Sequence, residues 1–191
     1  MATHAVPGTG LELILNAAEG VLQIVVTEDE AILCAQEWYR SERATEILAP
    51  ALAELATSLG IRWSDLRRIA CVRGPGSFTG IRIGVSAAKG LAFSVDKPAV
   101  GVSTLAAMAR NAAFADGLIV CAMDARRSQV YNANFSAENG VLTRLTPDRA
   151  VSLDELAEEI RNDPRPITLV GDGAHLVYAR FTEQGIPCRM A

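Results

Sequence analysis

"RGPGSFTGIRIG", Arg73–Gly84, holds four glycines and one proline in twelve residues. It follows the apolar run "RIACV" and leads into a second, longer apolar stretch. A β-strand, a sharp glycine turn and a helix is the order this predicts. Glycine loops in that position often hold phosphates, so the first question is whether this one does. It is not a Walker A loop, because no Gly-Lys-Ser/Thr follows Gly74 or Gly76 at the needed spacing. Glycines that permit positive φ, with the fixed φ of Pro75, turn the chain tightly. Ser77 or Thr79 can then accept from the orphan amides of the helix start. A helix start of this kind can also receive an anion.

Outward from the loop, the pattern runs strand–strand–strand–helix–strand–helix, and then partly repeats. "LILNAAEGVLQIVV" matches "CAMDARRSQVYNANF": a strand, Asn or Asp, Ala, a polar turn, a strand. "IACVRGPG" matches "ITLVGDGA": a strand, glycines, then a helix. Two such halves predict an α/β protein with the duplicated actin-like (ASKHA, ribonuclease H-like) fold and a shortened second half. The expected division is a flexible extension over 1–10, a first subdomain over 11–102, and a second, C-terminally incomplete one over 103–191. The first helix, about Ser41 to Ser58, carries Pro50, which predicts a kink or a later start.

The 191 residues are half apolar and carry a net charge of −4. That suits a folded core and argues against a domain that binds nucleic acid by its own charge. Arg62, Arg67, Arg68, Arg73, Arg82 and Lys89 can form one basic patch, although a solvated surface accounts for them as well. Cys34, Cys71, Cys121 and Cys188 form no CxxC pair and read as small buried hydrophobes in a reducing compartment. "MATHAVPGTG" has no signal-peptide pattern, and no apolar run is long enough for a bilayer. A cytoplasmic protein with no membrane contact is expected.

Catalytic equipment is sparse. The two histidines, His4 and His175, make no HxxxH or HExxH pattern, and no GxSxG is present. Actin-like ATPases carry an acidic residue in the turn between their first two strands. Here that turn is "LNAAEG", with Asn16 in the acidic position, while Asp124 occupies the matching place in the second half. Neither a metal nor a cofactor is expected, and no catalytic residue is assigned.

At 100° per residue, Arg82, Ser86, Lys89, Phe93 and Asp96 share one narrow stripe of the helix after the loop. Gly80, Gly84, Ala88, Leu91 and Val95 lie opposite, where small residues let the helix approach its sheet. Ile81, Val85 and Ala92 cover one flank, and Ile83, Ala87 and Gly90 the other. The first helix has a stripe of Ala44, Ile47, Leu48, Ala51, Leu52, Leu55 and Leu59, widened by alanines. Two helices with such broad apolar faces point to an interface with a second chain. Burial by the chain's own second half would explain them equally.

"VRGPGSFTGIRIG" resembles the signature of TsaB (YeaZ-type) proteins, and "GVSTLAAMA", "MDARRSQVY" and "SERATEILAPALAELA" are similar to further segments of that family, in family order. The resemblance covers about Leu11 to Gly173. It implies a non-catalytic scaffold that supports a TsaD-like catalytic subunit, alongside a TsaE-like ATPase. The assembly adds threonylcarbamoyl to the adenosine beside the anticodon of tRNA, and tRNA is met only through the complex. A homodimer through the same surface is a further possibility. The interface residues expected are Leu48, Leu52 and Leu55 on the first helix, with Ile81, Arg82, Val85, Lys89 and Phe93 on the second. Gly74, Pro75, Gly76, Ser77, Phe78, Thr79 and Gly80 form the loop. The departures from the family are Asn16 for the usual aspartate, Arg43 where a histidine is common, and an end at Ala191 before the family's final helical region. The rival reading is an enzyme: an actin-like ATPase or phosphotransferase, or a glycoprotease-like peptidase.

Overall fold

The computed structural model describes residues 10–18, 20–29, 31–39 and 44–191. The expected N-terminal extension and Arg43 therefore lie outside the described residues, apart from Gly10. The chain divides into two compact units between Val102 and Ser103.

In the first unit, β1 (Leu11–Asn16), β2 (Val21–Glu28) and β3 (Ala31–Tyr39) form an antiparallel meander. Helix α1 (Ala44–Leu59) follows, then β4 (Leu66–Val72), α2 (Phe78–Ser94) and β5 (Ala99–Val102). β4 pairs parallel to β1, and β5 parallel to β4, giving the order β3-β2-β1-β4-β5. β2 alternates between buried and half-buried along most of its length, the period-two signature of a strand with one face in the core. Leu13, Leu15, Leu22, Ile24 and Val26 supply that face, and Leu48, Ala51, Leu55, Ala88 and Ala92 cover it from α1 and α2. α1 continues through Pro50, although a proline there removes one backbone donor.

The second unit opens with α3 (Thr104–Asn111) and then repeats the plan. β6 (Gly117–Asp124), β7 (Gln129–Glu138) and β8 (Val141–Arg144) form the meander. β9 (Arg149–Ser152), α4 (Leu153–Ile160), β10 (Ile167–Val170), α5 (Ala174–Glu183) and β11 (Arg189–Met190) follow. The order β11-β10-β6-β7-β8 is the first sheet's order read in reverse direction, with β6 in the place of β1 and β10 in the place of β4. The internal repeat is therefore a repeat of topology, and the fold is the duplicated actin-like one. β6 is buried from Leu118 to Met123, because separate apolar clusters pack on its two sides, one from α4 and α5 and one from α3.

β9 had no counterpart in the sequence reading. It pairs with β7, and its Arg149 donates to the buried Asn132 side chain and to Glu159 of α4. Asn132 in turn donates to the Cys121 carbonyl and to Asn134. Buried carboxamides need such partners, and β9 supplies one.

Glu12 is held between Arg67 and Arg68 at 14% side-chain exposure. Burial works to raise its pKa, but hydrogen bonds and charge from the two guanidinium groups outweigh it, and the net shift is downward. A lowered folded pKa contributes stability that is present above the unfolded value and lost as pH falls through the folded one. Glu12→Gln is expected to lower the thermal midpoint at neutral pH and to flatten the acid loss below about pH 4.5. Melts of both proteins across the acid range check this; parallel curves would contradict it.

Candidate partner-docking face

The loop after β4 is shaped by the turn after β1. The Ser77 N–H donates to the Ala18 carbonyl, and a Cβ at Gly76 or Gly80 would fall on the carbonyl oxygens of Ala18 and Ala17. Gly74 takes a φ of 101°, which L side chains rarely adopt. Ser77 caps α2, its hydroxyl accepting from the Gly80 N–H at 3.3 Å. Two carbonyl oxygens and a capping hydroxyl thus occupy the start of α2. An anion there would meet partial negative charge, so the glycines serve close backbone approach and not phosphate binding.

Asn16 holds the same turn. Its side-chain oxygen accepts from the Ala18 N–H at 3.0 Å, and its amide donates to Gln23 at 2.8 Å. Gln23 then donates to Glu37 at 2.6 Å, and Tyr39 donates to Glu37 at 3.0 Å. An aspartate at 16 could not donate to Gln23, so the carboxamide fits this chain of bonds. Asp124 makes the matching bond in the second unit, accepting from the Arg126 N–H at 2.7 Å. Among the described residues, no three His, Cys, Asp or Glu side chains are grouped as a metal would need.

α1 and α2 border a groove of about 630 Å³. Leu48, Ala49 and Leu52 line one wall, and Ile83, Ala87 and Leu91 the other. Gly90 is exposed within it, with nothing within 4 Å of where its Cβ would lie. Arg82 is the one charged residue of the lining. Its guanidinium stands 3.7 Å over the Phe78 ring, and Phe78 is itself exposed. Phe93 is 92% exposed, and Lys89 is exposed too.

The residues named from sequence therefore separate. Leu48, Leu52 and Arg82 border the groove, while Lys89 and Phe93 stand on the exposed face of α2. Ile81 and Val85 are half-buried on α2 and do not line the groove. Leu55 corrects the expectation: it has no exposed area and belongs to the core beneath α1, so it has no surface to offer a partner. The sheet-facing stripe of α2 is Gly80, Gly84, Ala88 and Ala92; Ala92 is not on a flank, and Leu91 turns toward the groove. The flank of Ile83, Ala87 and Gly90 lines the groove. Its signal was Gly90, a small residue at an exposed helical position.

Half of the supposed basic patch is spent on internal ion pairs. Arg62 pairs with Asp65, and Arg67 and Arg68 with Glu12. Arg73, Arg82 and Lys89 make no ion pair among the described residues. The four cysteines are free: Cys71 and Cys121 are buried, Cys34 and Cys188 half-buried. Burial pushes the Cys121 thiol up to about 12, which leaves it unreactive. No described helix is long and apolar enough to cross a membrane.

A sequence model of the family described as tRNA N6-adenosine threonylcarbamoyltransferase (TsaD) matches residues 40–180. The chain is 34% identical over 164 residues to the tRNA threonylcarbamoyladenosine biosynthesis protein TsaB of Bacillus subtilis, covering 86% of this chain and 72% of that protein. To the TsaB of Escherichia coli it is 36% identical over 132 residues, covering 68% of this chain and 57% of that one. The structure of YeaZ from Pseudomonas aeruginosa aligns with a TM-score of 0.74 at 22% identity, covering 95% of this chain and 84% of that chain.

Proposed function

The chain belongs to the TsaB family, within the wider family described as tRNA N6-adenosine threonylcarbamoyltransferase, and on that premise we propose that it is a non-catalytic scaffold subunit in tRNA threonylcarbamoyladenosine biosynthesis. Its partner is a TsaD-like catalytic subunit, with a TsaE-like ATPase in the same assembly, and tRNA is engaged through the complex. The observation that carries this reading is the α1–α2 groove, an apolar channel with exposed Phe93 and Phe78 beside it. Surfaces of that kind favour burial against another protein. Arg82 and Lys89, without acidic partners among the described residues, suit a partner helix with carboxylates along its rim. A second copy of the chain can use the same groove when the catalytic subunit is absent.

The enzymatic alternative finds little support. The turn after β1 holds Asn16 with both ends of its carboxamide engaged. The start of α2 is filled by carbonyl oxygens. The isolated chain is expected neither to hydrolyse ATP nor to cleave peptides. Phosphate release and peptide assays against a mock purification check this; turnover that disappears on mutating this chain would contradict it. The reading itself is tested by size-exclusion chromatography with light scattering. The cognate TsaD-like protein is expected to draw this chain into a one-to-one complex, and two separately eluting proteins would refute the assignment.

A further inference from the structure

Three consecutive residues of the second unit, Arg126, Arg127 and Ser128, have φ of 68°, 52° and 59°. Residues other than glycine rarely enter this left-handed region, and a run of three persists only where its surroundings hold it. Here Asp124 accepts from the Arg126 N–H. Gln129 donates from its N–H to the Arg126 carbonyl at 3.1 Å, and its own carbonyl accepts from the Ala125 N–H at 3.1 Å. The turn borders a cavity of about 590 Å³ whose lining includes Arg127, Ser128, Asp154, His175, Arg180 and Glu183.

Apart from Gln129 and from Ser152, whose hydroxyl donates to Glu155, the polar groups of that cavity fall into two sets. Asp154 and Glu183 are both engaged by Arg180, so its two carboxylates and one of its cations are mutually occupied. The other set is unspent. Among the described residues, Arg127 makes no ion pair and the Ser128 hydroxyl no hydrogen bond. His175 donates from Nδ1 to the Asp172 carbonyl at 2.7 Å, so its Nε2 can donate to an oxyanion only as the second N–H of an imidazolium. A guanidinium, a hydroxyl and an imidazolium N–H around one cavity match the several oxygens of a tetrahedral oxyanion.

We propose that this cavity binds a phosphate group, with Arg127 as its charged ligand and Ser128 and His175 completing the contacts. The strained turn places Arg127 and Ser128 at the cavity wall in advance, so little ordering remains to be done on binding. Arg180 offsets one of the two carboxylate charges of Asp154 and Glu183, and Arg127 offsets the other. The phosphate can be the terminal group of a mononucleotide or one link of an RNA backbone.

The chain's two histidines make the test direct. The His175 ring resonances, assigned with a His4→Ala variant, are followed by NMR during titration of the full chain. The probes are inorganic phosphate, AMP and a short single-stranded oligoribonucleotide. Inorganic phosphate is expected to move the His175 signal saturably, and Arg127→Gln to weaken that response by about tenfold. Arg127 is exposed, so this variant is expected to keep the wild-type thermal midpoint. Arg180→Gln, which frees two carboxylates, is expected to weaken binding as well. AMP binding at least as tightly as phosphate identifies a nucleotide source. An oligoribonucleotide that binds tighter, with steep salt dependence, identifies RNA. If none of the three probes moves His175, or if Arg127→Gln responds like wild type, the proposal is overturned.

Discussion

Gly80→Ala lowers the melting temperature of the protein by roughly 10 °C, corresponding to a loss of about 3 kcal/mol. The new methyl would land on the Ala17 carbonyl oxygen. That oxygen is backbone in the turn held by Asn16, so the clash cannot be relieved by rotating a side chain. Either α2 lifts from the sheet or the β1–β2 turn unfolds, and both loosen the core that Ala88 and Ala92 of α2 share with Leu15. Gly84→Ala is the control one turn along. Its Cβ would meet the Ala17 Cβ at 3.7 Å, which is ordinary contact, and helix propensity favours alanine by about 1 kcal/mol. Thermal melts should therefore separate two substitutions of the same kind on the same buried stripe. Equal midpoints would mean that α2 does not approach the sheet as closely as its glycines indicate.

Gly90→Arg should weaken partner binding sharply while leaving the monomer at least as stable. The position is exposed, the space beyond its Cβ is open, and the residue lies inside α2. Replacing a mid-helix glycine is worth about 0.5–1 kcal/mol of stability. The same side chain puts a long charged group into the groove between Leu52 and Leu91. A partner would then have to bury an unpaired charge or stay out, a loss on the order of a hundredfold in affinity. Phe93→Arg should act in the same direction more weakly, because Phe93 stands outside the groove lining. Paired melts and titrations decide between loss of fold and loss of contact.

The duplicated plan was legible because its turns are chemical. Asn16 and Asp124 close matching turns, glycines follow both β4 and β10, and the apolar runs have strand length. β9 was invisible because "RAVS" is short and is fixed by long-range bonds from Arg149 to Asn132 and Glu159. Helical spacing placed Phe93 outside and Gly80, Gly84 and Ala88 inside. It did not say which flank of α2 meets α1, since an angle about one axis carries no information on a neighbouring helix. For the same reason Leu55 read as part of an outward stripe although the sheet beneath covers it fully. The left-handed run at Arg126–Ser128 has no glycine to announce it, so only the backbone reveals it.

Hydrogen–deuterium exchange on this chain, alone and with its cognate TsaD-like protein, tests the central claim most directly. Docking in the groove is expected to slow exchange in Thr45–Leu52 and Arg82–Ser94 and to leave the second unit's α4 and α5 unchanged. A stable complex in which both segments of α1 and α2 exchange as fast as in the free chain would place the interface elsewhere and contradict the account.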